Sequence, residues 1–166
     1  MPPVLTDPQQ ISLGKGLRVD EGVKLGYPTG RKIKDPFLSI GADGVIRSGS
    51  VIYAGSKIGK EFQTGHNVVI REENTIGDHV WIWGNTVVDY GCIIGSNVRI
   101  HSNVYIAQFT VIEDDVFIAP CVAVANDMYP VGTVEDLQGP VIKKGARIGI
   151  NVTLLPGVVI GEGAMI

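Results

Sequence analysis

The sequence is short of cysteine, of clustered positive charge and of long apolar runs, and each shortage closes off a class of protein. Two cysteines in 166 residues make no disulfide framework. Cys92 falls at an inward position of the pattern described below and reads as core, Cys121, beside Pro120, reads as a turn-side thiol, and neither is given a catalytic role. The 14 Lys and Arg are outnumbered by 17 Asp and Glu, for a net charge of -3, and form no cluster fit to neutralise a phosphate backbone. No nucleic-acid partner is expected. No apolar run reaches the length of a membrane span, and the opening MPPVLTDPQQ has neither the charged nor the apolar region of a signal peptide. A cytoplasmic protein with no membrane partner is the expectation.

What the chain has in abundance is a rhythm of six. From Ile40 to Val124 every sixth residue is Ile or Val, with Thr64 the one exception across fifteen positions. Four places further on stands a small or β-branched residue, as in Ser50, Val68, Thr86, Cys92, Val104 and Val122. An α-helix needs apolar spacings of three or four, whereas a short strand followed by a turn presents two residues inward per six. Each unit therefore makes one side of a prism. A slower period counts the sides: Gly41, Gly59, Gly77 and Gly95 recur every eighteen residues, each just after an aliphatic of the six-residue series. Three units make one coil, and the glycines are expected where the corner backbone adopts conformations that a β-carbon penalises.

Units such as IGDHVW, VIEDDVFIAP and IGINVTLLPGVVIG resemble the hexapeptide-repeat acyltransferases almost throughout the chain. That resemblance, rather than the periodicity, implies left-handed coils, against the right-handed preference of ordinary parallel crossovers. The expected fold is all-β, a left-handed parallel β-helix: a triangular solenoid of about seven coils in one domain over residues 1–166, whose 45% hydrophobic content suffices for one continuous core. Weak units begin at Leu13, Val19 and Leu25, and a polar excursion lies near residues 27–38. A long loop is extruded over residues 125–141 before the rhythm resumes at Ile142, Ile148, Leu154 and Ile160. Whether it replaces a coil or protrudes stays open at this level, but loops on rigid scaffolds disproportionately carry function.

Chemistry must come from polar groups outside the prism, beginning with His66, His79 and His101. A related branch of this fold, the gamma-class carbonic anhydrases, binds zinc through three histidines at a subunit boundary. Here His66 and His101 are 35 residues apart. At strand spacing that is a height difference of about 10 Å, too far for one metal within a subunit, and the stretch NVYIAQ lacks the third histidine. No metal is expected, and His79 reads as a surface residue.

His101 lies in RIHSNVYIAQFTVIEDDVFIAP, directly ahead of a loop that opens NDMYP. This segment is similar to sugar-nucleotide N-acetyltransferases, and the resemblance implies that His101, Asn126 and Asp127 line the site where acetyl-CoA meets an amino sugar. The residue types suit that chemistry. A neutral imidazole accepts a proton near neutral pH, Asp127 holds or polarises the amine, Asn126 orients either reactant, and a backbone N–H stabilises the oxyanion. The plain alternatives are a solvated turn histidine and Asx turn chemistry at the loop entrance.

A second group stands in FQTGHNVVIREEN, where Thr64 breaks the aliphatic column and His66, Arg71, Glu72 and Glu73 cluster outside it. The resemblance puts a nucleotide-sugar site between subunits near these coils, with Arg71 as a diphosphate partner and His66 and Glu72 beside it. A salt-bridged surface is the alternative. After the loop, Lys143, Lys144 and Arg147 are candidates to neutralise the phosphates of coenzyme A, or else a solvated basic turn. Trp81 and Trp83 flank the inward Ile82, so both cannot be core, and at least one is expected at a subunit interface. An uncapped coil at Ile166 would leave strand edges open, so a longer natural chain with a fuller cofactor site is expected.

The reading is thus a coenzyme A dependent acyltransferase that N-acetylates an amino sugar carried by a nucleoside diphosphate, with acetyl-CoA as cosubstrate and a homotrimer as the working form. The alternatives are a gamma-class carbonic anhydrase-like metalloenzyme and a non-catalytic β-helical scaffold subunit.

Overall fold

Six-residue units close a prism only if each coil hydrogen-bonds to the next in register, and this is the arrangement found. The computed structural model describes residues 4–166, so the first three residues of the domain expected over 1–166 lie outside the described residues. Among the described residues twenty-three strands, most of them two residues long, join in three parallel sheets of eight, eight and seven strands. The first face runs from Val4–Leu5 and Lys24–Tyr27 to Thr153–Leu154. The second runs from Ile11–Leu13 and Leu38–Ile40 to Val159–Ile160, and the third from Arg18–Val19 to Arg147–Ile148. Successive strands join successive faces, the architecture of a left-handed parallel β-helix.

Register puts like on like. Ile82 pairs with Thr64 on one side and Ile100 on the other, and Ile100 pairs in turn with Ile118. Stacked in this way, the aliphatic column from Ile40 to Val124 is buried, and with Val68, Val80, Cys92, Val98, Val104 and Val122 it forms one continuous apolar interior. Of the weak early units, Leu25 is fully enclosed and Val19 packs partly buried against the core, whereas Leu13 is exposed; Leu38, read as the end of the excursion, is fully enclosed. Thr64 keeps its place in the column because its hydroxyl accepts the Arg47 N–H at 2.9 Å, so its own buried oxygen is satisfied. Burial pushes the Cys92 thiol up to about 12, which leaves it an inert core residue.

The glycines of the eighteen-residue series serve a different purpose from the one expected. None of Gly41, Gly59, Gly77 and Gly95 has a positive φ. A β-carbon on Gly77 would instead lie 2.6 Å from Ser96 Oγ and 2.8 Å from the Gly95 carbonyl carbon. Close approach of one coil to the next excludes a side chain there. The left-handed torsions fall two residues later, on Asp43, Glu61, His79, Asn97 and Asp115, with φ between 55° and 62°. Asn and Asp are the residues that tolerate that region best.

Both interruptions are slightly shorter than expected. Tyr27 and Leu38 stay in strands, so the excursion is 28–37, and Val141 pairs with Val111, so the loop is 125–140. Ile93 pairs with Val111, eighteen residues on, and Val111 with Val141, thirty residues on, so twelve residues are extruded and no coil is replaced. Each segment leaves a first-face strand and returns to a second-face strand. Both therefore stand on one edge of the prism. Among the described residues no helix is long and apolar enough to cross a membrane.

Candidate active site

The edge between the first and second faces is built from the corner residues that follow each first-face strand. Arg71, Glu72 and Glu73 follow Val69–Ile70, Asp89 and Tyr90 follow Val87–Val88, and Gln108 and Phe109 lie just after Tyr105–Ile106. From Tyr53 to Ala125 is four rungs, about 19 Å at the usual strand spacing, with one excursion at each end.

Charged groups fill this stretch and pair with one another. Glu72 is completely buried, and its carboxylate accepts Arg31 Nε at 2.8 Å and Arg71 Nε at 2.9 Å. Arg31 also reaches Glu73 and lies 4.0 Å over the Tyr90 ring, which ties the 28–37 excursion down onto the edge. Burial alone would push the Glu72 carboxyl up, but hydrogen bonds from Arg71, its own backbone and Arg31 hold it below the ordinary value of 4.5. The stabilisation that Glu72 gives is therefore complete above that ordinary value and is lost as pH falls through the depressed one. Replacing Glu72 with Gln should cost about 2 kcal/mol near neutral pH. Melting curves of the two proteins, taken from about pH 7 to about pH 3, should converge in acid; a pH-independent difference would show that the carboxylate charge is not what anchors the excursion.

Arg71 lies 3.9 Å from Asp89, which leads to the second loop. Asp89 Oδ2 accepts the Tyr105 hydroxyl and Gln108 Nε2, both at 2.8 Å, and Oδ1 accepts the Tyr90 N–H at 2.8 Å. Burial first, then the hydrogen bond to Asp89, pushes the Tyr105 hydroxyl well above its ordinary range, so it remains a donor. Asn126 Nδ2 donates to Gln108 Oε1 at 2.7 Å and to the Gln108 carbonyl at 3.2 Å, while the Asn126 carbonyl accepts the Gln138 N–H and closes the loop base. Asp127 is a turn former: Oδ1 accepts the Tyr129 N–H at 3.0 Å and Oδ2 the Gly132 N–H at 2.9 Å. Together with Met128, Tyr129, Gly132 and Asp136 it lines a cleft of about 410 Å³.

His101 is elsewhere. It follows the third-face strand Arg99–Ile100, so the whole first face separates it from Asn126 and Asp127 within one chain. Its ring stacks on Trp83 at 4.7 Å with the planes 5° apart, and its Nδ1 is buried with no hydrogen-bond partner among the described residues. His66 sits on that same third-to-first edge, bonded to Ser48 Oγ at 2.9 Å, and so is not brought together with Arg71 and Glu72. His79 pairs with Glu61 at 3.0 Å on the remaining edge. Among the described residues no three His, Cys, Asp or Glu side chains gather as a metal-binding group.

Of the coenzyme candidates, Lys143 and Lys144 are already paired, with Glu113 at 2.7 Å and Asp115 at 3.6 Å. Arg147 forms no ion pair among the described residues, and together with Arg99, Asn97, Asp115 and Phe117 it lines a cleft of about 310 Å³ on the third face. Trp81 shares that face, with Arg99 5.0 Å over its ring, and both tryptophans are half-buried.

Sequence reasoning missed Arg31, Asp89, Tyr105 and Gln108. For Asp89 and Gln108 a signal existed, because residues eighteen apart before the loop occupy adjacent rungs: Arg71 sits over Asp89, and Gln108 over Asn126. Arg31 has no periodic relation to Glu72 and left no such trace.

Residues 75–108 match the protein family described as bacterial transferase hexapeptide, six repeats. Among solved structures, the chain is similar to the UDP-N-acetylglucosamine acyltransferase of Arabidopsis, with 16% identity and a TM-score of 0.21, over 94% of this chain. The chain spans 65% of that protein's length. No curated protein matches the sequence.

Proposed function

We propose that the protein is a coenzyme A dependent acyltransferase that acetylates the amine of an amino sugar carried by a nucleoside diphosphate. The match of residues 75–108 to a transferase family supports acyl transfer. The observation that carries the amine acceptor is the cleft within the extruded loop, whose wall includes Asp127, the residue next to Asn126. In the reaction the amine nitrogen forms a bond to the thioester carbon, the carbon–sulfur bond breaks, and the amine proton passes to the imidazole of His101 and on to the departing thiolate, which leaves as the free thiol.

Because His101 and Asn126 lie on different edges, the working form we propose is a homotrimer in which the His101 edge of one copy meets the loop edge of the next. Val51, Val69 and Val87 form an apolar, only half-buried outward column on the intervening first face, which supports packing there. Arg99 and Arg147, neither in an ion pair among the described residues, are the side chains suited to coenzyme A phosphates, with Lys143 and Lys144 secondary. Arg71 is spoken for by Glu72, so a role for that pair in holding the nucleotide would be through the shape of their edge, and His66, on the third-to-first edge, would contribute only from a neighbouring copy. Analytical ultracentrifugation at assay concentration tests the assembly: a trimer is expected, and a monomer that retains full activity would refute the shared site.

A further inference from the structure

An amide side chain is ambiguous in polarity, since its oxygen accepts and its NH2 donates from nearly the same place, so what it offers a ligand depends on what fixes its other end. On this edge the fixing group is a carboxylate. Asp89 is 7% exposed, and every group facing it is a donor: the Tyr105 hydroxyl, Gln108 Nε2, the Tyr90 N–H and, at 3.9 Å, Arg71. A carboxylate in that setting only accepts. Gln108 must therefore turn its NH2 toward Asp89, which leaves Oε1 toward Asn126. Asn126 must in turn present Nδ2 to Gln108, where its two N–H groups meet Oε1 at 2.7 Å and the Gln108 carbonyl at 3.2 Å. Asn126 Oδ1 is what remains, and among the described residues it accepts no hydrogen bond.

We propose that Asp89 and Gln108 form a polarity relay that holds Asn126 with Oδ1 free, making Asn126 an obligate acceptor for the N–H of an amine-bearing substrate at the loop base. The relay excludes the opposite role, donation to the oxyanion of an acyl group, because both Asn126 N–H groups are engaged. It explains why a buried carboxylate stands one rung before Gln108 on the edge. It also fits the backbone next to Gln108: Phe109 has φ 62°, a bulky residue held where the neighbouring rung has Gly91 at 70°. Strain of that kind persists where surrounding structure over-determines it. Asp89 and Gln108 are positioning residues, acting only through Asn126. The inference rests on the amine-acetylation reading for its substrate, though the orientation of Asn126 can be read without one.

The test inverts the relay and then restores it. Asp89→Asn lets Gln108 turn over and frees Asn126 to present Nδ2. Gln108→Glu sets a carboxylate against Asp89. In the double variant Asp89→Asn/Gln108→Glu, the new carboxylate accepts from both neighbours and again leaves Asn126 Oδ1 free. Asp89→Asn, by releasing Asn126, and Gln108→Glu, by driving two like charges and Asn126 with them apart, should each raise KM for the amine acceptor about tenfold, with KM for acetyl-CoA unchanged, and the double variant should recover most of the loss. A role in packing alone predicts no such rescue. Additive losses in the double variant, or an Asp89→Asn protein indistinguishable from the wild type, would overturn the relay. Hydrogen exchange of the Asn126 side-chain NH2, followed by NMR without any substrate, separates this idea from the functional reading. Protection in the wild type and the double variant, lost in Asp89→Asn, upholds the relay even if no amine is ever acetylated; rapid exchange in the wild type sinks it.

Discussion

Replacing His101 with Asn should lower the acetyl transfer rate about 100-fold while leaving the prism folded. The imidazole is held by its stack on Trp83, and with Nδ1 buried and unpaired, Nε2 is the nitrogen left for proton transfer. Asparagine keeps a polar side chain at the corner but accepts no proton at neutral pH. The loss should appear in kcat and fade little with saturating substrate, because the group acts on the reacting amine and not on affinity. Stability should fall by no more than about 1.5 kcal/mol, the scale of one lost ring contact. Stopped-flow thiol release with the purified variant is the measurement. A rate within about threefold of the wild type would remove His101 from proton transfer and leave it a surface aromatic partner.

The second large effect is on stability and separates two uses of glycine. Gly77→Asn should destabilise the protein by about 3 kcal/mol, because a β-carbon there collides with the next coil at 2.6 to 2.8 Å. Gly145→Asn should cost almost nothing, although Gly145 has φ 69°, because no atom lies within 4 Å of its β-carbon position. Asn97 and Asp115 already occupy that corner position on the preceding coils, at φ 59° and 62°. Urea denaturation of both variants decides the point. Equal losses would mean that torsion, and not coil spacing, sets the glycine requirement at Gly77.

That contrast shows what the sequence made legible. The inward column could be read because one residue in six must fill the prism, and the eighteen-residue count followed because coils stack in register. The reason for Gly41, Gly59, Gly77 and Gly95 could not be read, since a missing side chain signals torsional freedom and close approach alike. Loop positions were legible to within a residue or so, but not that both loops share one edge until strands were assigned to faces. At the candidate site, Asn126 and Asp127 were legible as a loop entrance. The bonding of Asp127 to the Tyr129 and Gly132 N–H groups shows the turn chemistry weighed as its alternative. The Glu72 pairing with Arg31 was not legible, because it joins the edge to an excursion outside the repeat.

The proposed reaction moves an acyl group from coenzyme A to an amine. The most direct measurement is free thiol release from acetyl-CoA in the presence of a panel of amino-sugar nucleotides, with the matching hydroxy-sugar nucleotides alongside. Thiol release that depends on an amino sugar, accompanied by an N-acetylated product in the mass spectrum, is the expected result. Release with the hydroxy sugars instead, or none with any amine while the protein is folded and trimeric, would contradict it.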